Sequence, residues 1–465
     1  MSASTKPAIQ QKRTVVKLVI ITSAISFLIG LAFACFYFLS RDQASDVAQA
    51  VPAISSAVAE GSASSEEPYI FEVDPIQVAP QRTYGTSTSD LRTLSKGFQF
   101  QSNVNFEEGG LASQERVTEQ SYLADYTLTI QEPKAALSLP DVLSAHPELE
   151  SSLPRLATLL ETATINPYWH ELYRRKKKTV VTDAHYLNKL ITKHNFYDCQ
   201  TILNLRDPDT KRRAVLVQAD MDVVTDGSDG DRMPTMPEEI TTSTYYQPTT
   251  SYSWKKTTDQ PNPMIAGYRQ RIANADQELA DAATSADRAK WLKERKKMLY
   301  GTIKEMEARS YLIAEHDPFI VLPVPVIVAK DAYSPNVGDY AIVFYRDQAY
   351  PAIVGDAGPS YKMGEASLRI ARQLDERSGA TWRPVSDLSV TYLVFPGTRP
   401  QPNQAPNYES IHEKCQHLLS EIGGLGESTS LYQWEDLLAA GEQAATEEDR
   451  SAGIDLPASP SNEDE

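Results

Sequence analysis

The sequence predicts an α+β protein: a small mixed or antiparallel β-barrel or sheet wrapped by helices, with a long helical-hairpin insertion and an N-terminal transmembrane helix. Three observations predict it. Residues 18–39 carry no charged side chain, and such a span is long enough to cross a hydrocarbon core of ~30 Å. From Pro318 the chain breaks into short β-branched and aromatic runs: "PFIVLPVPVIVAK", "DYAIVFYRD", "AYPAIVGD" and "SVTYLVFPG". Ahead of them, residues 264–313 contain no proline and are rich in strong helix formers.

The N-terminal span has a sided flank. Lys6, Lys12, Arg13 and Lys17 precede it, no acid occurs before Asp42, and only Arg41 follows closely. The positive-inside rule then leaves residues 1–17 in the cytoplasm and everything after residue 40 outside, as a single-pass inner-membrane protein with a periplasmic or extracellular domain. A cleaved signal peptide is the rival reading. The apolar run continues past "AFAC" through Phe36, Tyr37, Phe38 and Leu39, which favours an uncleaved signal-anchor. Residues 40–120, rich in Ala, Ser, Glu, Gln and Pro, read as a disordered spacer. A folded domain is expected over 121–440, and residues 441–465, with eight acids and one arginine, read as a disordered acidic tail.

The elements follow in order. "YTLTI" at 126–130 reads as an isolated strand. In "LPDVLSAHPELESSLPRLATLLETA", Leu153, Leu156, Leu159 and Leu160 keep helical spacing. "DAHYLNKLITKHNF" reads as a helix with Asp183 as N-cap and Leu187, Leu190 and Ile191 inward. "RAVLVQADMD" alternates as a strand, with Leu216, Gln218, Asp220 and Asp222 on one face. The 264–313 stretch reads as a helical hairpin breaking near Ala283–Asp287. Its charges occupy nearly every face, which makes it a projecting insertion rather than core. Tyr340–Tyr345 and Tyr350–Val354 form a hairpin candidate around "RDQA". Helices return at "EASLRIARQLDE" and "YESIHEKCQHLLSEI".

Composition excludes some functions. With 41% hydrophobic and 23% charged residues the chain can build a sizeable core. A net charge of −17 repels nucleic acid and attracts a cationic ligand or polymer. Three cysteines, Cys35, Cys199 and Cys415, make neither a disulfide framework nor a metal cluster. Cys199 and Cys415 are left as one bridge or two buried thiols. Nothing in the sequence demands a metal or organic cofactor, and none is expected.

The stretch "VGDAGPSYKMGEASLRIA" poses the functional question. Asp356 ends an apolar strand, and Glu365, nine residues on, stands in the first turn of an expected helix. The two could be an acid/base pair of the kind glycoside hydrolysis needs, or a turn residue and a helix cap. As a pair, Glu365 at a helix N-terminus would stay ionised as the base, and Asp356 would carry the proton as the acid. Upstream, "DMDVVTDG" spans Asp220 to Gly227. An EF-hand beginning at Asp222 would place Val224 and Met233 at ligand positions, which rules it out. Asp229 and Asp231 read as a solvated acidic loop.

These segments together resemble glycoside hydrolase family 75, the chitosanases. "DMDVVTDG", "PFIVLP", "GDAGPSYKMGEAS" and "VTYLVFPG" occur in that family's order and span about 210–397. The insertion between 232 and 317 departs from the compact fungal pattern, and Val stands where the family places Cys after the second Asp of "DMD". The resemblance implies an endo-acting, inverting hydrolase of chitosan, with Asp356 and Glu365 as catalytic residues. The expected partner is a cationic amino-sugar polysaccharide. Asp222 and Asp226 would face its amines, and Asp220 is either such a contact or a structural hydrogen-bonding group; Tyr252 and Trp254, with Tyr245 and Tyr246 nearby, either stack on its rings or pack their loop onto the barrel. Two other readings stand beside it: a peptidoglycan-active glycosidase or lytic transglycosylase, and a non-catalytic sugar-binding or scaffold module.

Overall fold

The computed structural model describes residues 82–90, 99–106, 110–122, 127–184, 193–380 and 382–438. The 18–39 span, Cys35, the acidic tail and Leu187, Leu190 and Ile191 lie outside them. Among the described residues no helix is long and apolar enough to cross a membrane.

The strands are β1 (Arg82–Asp90), β2 (Gln99–Phe106), β3 (Thr164–Ile165), β4 (Cys199–Arg206), β5 (Arg213–Val224), β6 (Ser253–Lys255), β7 (Arg309–Tyr311), β8 (Phe319–Pro323), β9 (Tyr340–Tyr345), β10 (Gln348–Gly358), β11 (Glu365–Ser367), β12 (Val385–Val394) and β13 (Ser430–Leu431). Six of them close a ring. β5 pairs with β12, β12 with β9, β9 with β10, β10 with β8, β8 with β11, and β11 back with β5. The β10–β8 and β11–β5 pairs are parallel and the other four antiparallel. The expected barrel is therefore closed, which leaves these six strands no open edge.

Two strands change partners along one edge, and this is how the ring shuts. β5 pairs with β4 from Arg213 to Ala219, then with β11 from Asp222 to Val224. β10 pairs with β13 at Gln348 and Ala349, then with β8 from Ile353 to Gly358. Pro351 falls between the two pairings, where its missing N–H costs no ladder bond on that edge. The 340–354 hairpin forms as expected, with Gln348 opposite Tyr345.

The alternation of β5 does not mean a solvated face, because Ala214 to Met221 are all buried. Helix Leu139–Ala145 covers it, with the Gln218 side chain donating to the Val142 carbonyl at 2.9 Å. Helix Tyr408–Ser420 is capped by Asn407, whose side chain accepts from the Ser410 N–H at 2.7 Å. It buries Ile411, Cys415, Leu418 and Leu419 against β9 and β10. Cys199 and Cys415 are both buried and free, so the bridge is not made.

Several local expectations need correction. Residues 127–130 form no strand. Asp183 is not an N-cap but lies in the last turn of helix Pro167–Ala184. "PFIVLPVPVIVAK" is a strand only to Pro323, after which Val324–Val328 is helical, with proline in its first turn. Within the segment read as a spacer, β1 and β2 pair antiparallel.

The insertion is two helices, Met264–Ala280 and Ala286–Ala308, the second capped by Ser285. It is not polar all round. Met264, Ile265, Tyr268 and Ile272 meet Leu299, Ile303 and Met306 in an apolar cluster separate from the barrel core, closed by Tyr311. The seam is narrow and flanked by long charged side chains, which is why the sequence reads as polar on every face. Replacing residues 264–308 with a short Gly/Ser linker should therefore leave a barrel that melts cooperatively. Loss of the calorimetric transition would show that the hairpin completes the main core.

Candidate active site

One row of residues crosses four neighbouring strands. Asp356 of β10 pairs with Val321 of β8, Val321 with Glu365 of β11, and Glu365 with Asp222 of β5. Lateral partners share a face of the sheet, so the three carboxylates point into one cleft. Asp356 and Glu365 sit on either side of β8, two strand spacings or roughly 9.5 Å apart at the backbone. The Glu365 carboxylate leans back across β8, its Oε2 2.9 Å from where a Cβ on Gly358 would stand. Only glycine leaves that room.

Glu365 is therefore not at a helix start. It opens a three-residue strand, and the helix begins only at Leu368. No helix N-terminus stabilises its charge. Instead burial pushes its carboxyl up to about 7; Lys362 opposes this, and Asp222, Asp356 and Asp198 add to it. Asp356 is also pushed up by burial, but three donors hold its charge. The Ser251 hydroxyl, the Ser251 N–H at 2.9 Å and its neighbour's N–H, Ala357 at 2.8 Å, all donate to Oδ1. The loop carrying Ser251 is fixed by the Tyr252 N–H donating to the Gly355 carbonyl at 2.9 Å. The expected division of roles loses its basis, the helix N-terminus at Glu365: burial raises both carboxyls, Glu365 to about 7, and hydrogen bonds counter it at Asp356.

Asp226 is the fourth acid here. It follows β5, receives the Gln247 N–H at 3.3 Å, and is driven to about 7 by burial and then by the charge of Asp356. Tyr246, at the foot of the insertion, bonds the Gly227 carbonyl at 2.6 Å and walls this side.

On the other side, charges alternate. Arg383 pairs with Asp220 at 3.1 Å and with Asp222, and Lys362 lies 3.3 Å from Asp222 and 3.7 Å from Glu365. Asp220 is sealed at 1% exposure, so it is a buried support for Arg383 rather than a substrate contact. Burial and the neighbouring Asp198 push its pKa up, against the pull of Arg383.

Beneath the β10–β11 connection lies a buried ion pair. Lys176 and Asp198 meet at 2.7 Å with both side chains almost fully covered. Lys176 also donates to the carbonyls of Asn195 at 2.6 Å and Tyr361 at 2.7 Å, and the Met363 N–H donates to Asp198 at 3.2 Å. Gly364, at φ +81°, then turns the chain into β11; a side chain there would strike the Asp220 carbonyl.

The structure thus brings Asp222, Asp226, Asp356 and Glu365 together and removes other expected members. Tyr252 and Trp254 are buried in the barrel core at 3% and 5% exposure and present no stacking face. The Tyr252 hydroxyl donates to the Gln404 carbonyl at 3.0 Å, and Arg232 stacks on Trp254 at 5.1 Å. Tyr245 is exposed. Asp229 and Asp231 are not solvated: the first binds Arg232, the second Lys256, Thr257 and Thr258. Among the described residues no group of three or more His, Cys, Asp or Glu is arranged to hold a metal ion. Ser251, Lys362, Arg383 and the Lys176–Asp198 pair enter only with the structure. Lys362 had one signal, a lone cation three residues before the glutamate.

Removing Lys176 leaves Asp198 buried and uncompensated. Lys176→Met should cost ~3–5 kcal/mol in denaturant unfolding, whereas Lys177→Met, on the exposed face of the same helix, should change stability little.

Residues 221–429 match the family model described as fungal chitosanase of glycosyl hydrolase group 75. No curated protein matches the chain.

Proposed function

From a chain that carries a glycoside hydrolase family 75 domain over residues 221–429, and is therefore a glycosidase acting on a polysaccharide, we propose an inverting cleavage of β-1,4 bonds in chitosan or a related amino-sugar polymer. The observation that carries this reading is the row that sets Asp356 and Glu365 on the two sides of β8. Inverting hydrolysis needs two carboxyls ~6.5–9.5 Å apart, and a backbone separation of two strand spacings, ~9.5 Å, supports that reading by leaving room for such a gap.

In this reading Glu365 is the general acid. Its carboxylic acid donates a proton to the glycosidic oxygen as the bond from that oxygen to C1 breaks. Asp356 is the general base: it takes a proton from a water that attacks C1 from the opposite face. Three donors favour the charged state Asp356 needs, and desolvation favours the neutral state Glu365 needs. An acidic cleft suits a polymer whose free amines carry positive charge, and Asp226 and Asp222 are the acids placed to meet them.

Residues 18–39 would hold this enzyme at the membrane, with the N-terminus in the cytoplasm and the domain in the periplasm or outside. Supporting that is the uncharged span behind four basic residues. Protease added to intact spheroplasts should digest the chain beyond residue 40; full protection would overturn the topology.

Asp356→Asn and Glu365→Gln should each lower kcat by ~10²–10⁴-fold on chitosan, with small changes in melting temperature. Near wild-type turnover in either would end the pair's catalytic reading. Azide should rescue Asp356→Asn with a product of opposite anomeric configuration; rescue confined to Glu365→Gln would reverse the roles. Because the acid must be protonated, kcat/KM should fall as pH rises through about 7.

A further inference from the structure

On the reading that Glu365 is the proton donor, we infer that Lys362, whose ammonium lies between Asp222 and Glu365, is the positioning residue that sets the proton occupancy of Glu365. Lys362 sits in the turn joining β10 to β11, the connection that links the two candidate catalytic residues. Both of its neighbours are tied down: the Tyr361 carbonyl by buried Lys176 at 2.7 Å, and the Met363 N–H by Asp198 at 3.2 Å. One residue further back, the Ser360 carbonyl accepts from the Tyr168 hydroxyl at 2.8 Å and the Ser360 hydroxyl from Arg175 at 3.2 Å. The flexible lysine stem thus rises from a fixed base and is largely covered, with 28% of its side chain exposed.

The charges around it give the position its meaning. Glu365 is faced by Asp222 from β5, Asp356 from β10, Asp198 ahead of β4, Asp226 after β5, the Tyr392 hydroxyl from β12 and Lys362. Four of these are acids: the charge of Glu365 raises Asp226, and Asp222, Asp356 and Asp198 hold the proton on Glu365. Lys362, at 3.7 Å, opposes them. Asp222 lies nearer to Lys362, at 3.3 Å, but it is already engaged by Arg383, itself seated on Asp220. The order Asp220, Arg383, Asp222, Lys362, Glu365 therefore ends with a cation facing the carboxyl that must release a proton. A lysine that only braced the turn would serve through its backbone, which other groups already hold.

The experiment titrates Glu365 directly in the full chain labelled with ¹³Cδ-glutamate, its resonance identified by its absence from Glu365→Gln. Lys362→Met should raise the Glu365 midpoint by roughly one to two pH units, and the alkaline limb of kcat/KM on chitosan oligomers should move up with it. Lys362→Arg, which keeps the charge, should restore both. A midpoint in Lys362→Met that stays put or falls would overturn the inference, even if the variant were less stable. If Lys362→Met does not fold, Lys362→Gln makes the same measurement. If the wild-type chain leaves chitosan intact while the midpoint still rises in the variant, the substrate reading falls and the role of Lys362 stands.

Discussion

Three residues close this barrel. Glu365, Ala366 and Ser367 pair in parallel with β5 and, through the first two, antiparallel with β8. Without them β5 and β8 would each present an open edge, and the ring would become a curved sheet. The same three residues carry the candidate acid. The Glu365 side chain is therefore held at a point where the backbone is bonded on both sides. Ala366 and Ser367 are buried behind it, and the Ser367 hydroxyl accepts the Phe319 N–H at 3.2 Å. Closing the fold and placing the carboxyl are one event.

That closure needs support, because three residues of strand are short and the turn before them is polar. The support comes from helix Pro167–Ala184, outside the family match, through Lys176 and Asp198. A buried ion pair is weak evidence for stability in itself, since desolvating two charges offsets most of their attraction. Here every proton of the ammonium has an acceptor: Asp198 and the carbonyls of Asn195 and Tyr361. What the pair contributes is a fixed position for the Tyr361–Gly364 turn. The helical layer ahead of the family segment is thus part of the site's foundation.

The fold was legible where one interaction decides. Apolar runs and turn residues place the first hairpin strand and helix Tyr408–Ser420 within two residues, and β10 and β12 within four. The acid pair was legible as residues but not as environment. "MGEASLRIA" satisfies a helix start locally, yet the demand of two unpaired edges draws Glu365, Ala366 and Ser367 into a strand, and no local pattern carries that demand. The same limit explains Tyr252 and Trp254. Aromatics in a polar loop resemble a sugar platform, but the loop packs over the barrel and they fill its core. Asp220 and Asp222 share a strand face and a motif, yet one is sealed and the other borders the cleft, because β5 passes there from the cover of β4 to the company of β11.

Sheet geometry also bears on the stereochemistry proposed for the reaction. Side chains in register on adjacent strands stand ~4.8 Å apart and those two strands apart roughly twice that. Retaining glycosidases hold their carboxyls ~5–5.5 Å apart and inverting ones ~6.5–9.5 Å. Strand spacing thus offers two steps that fall near these two classes. With Val321 between them, Asp356 and Glu365 occupy the wider step, and Val321 supplies an apolar floor rather than a third polar group. Moving one carboxylate onto β8 would narrow the gap to a single step, too small for a water beside the sugar. The backbone separation of the two acids follows from which strands they stand on, and so from the order in which the barrel closes; the lean of the Glu365 side chain across β8 sets how much of that separation the carboxyls keep.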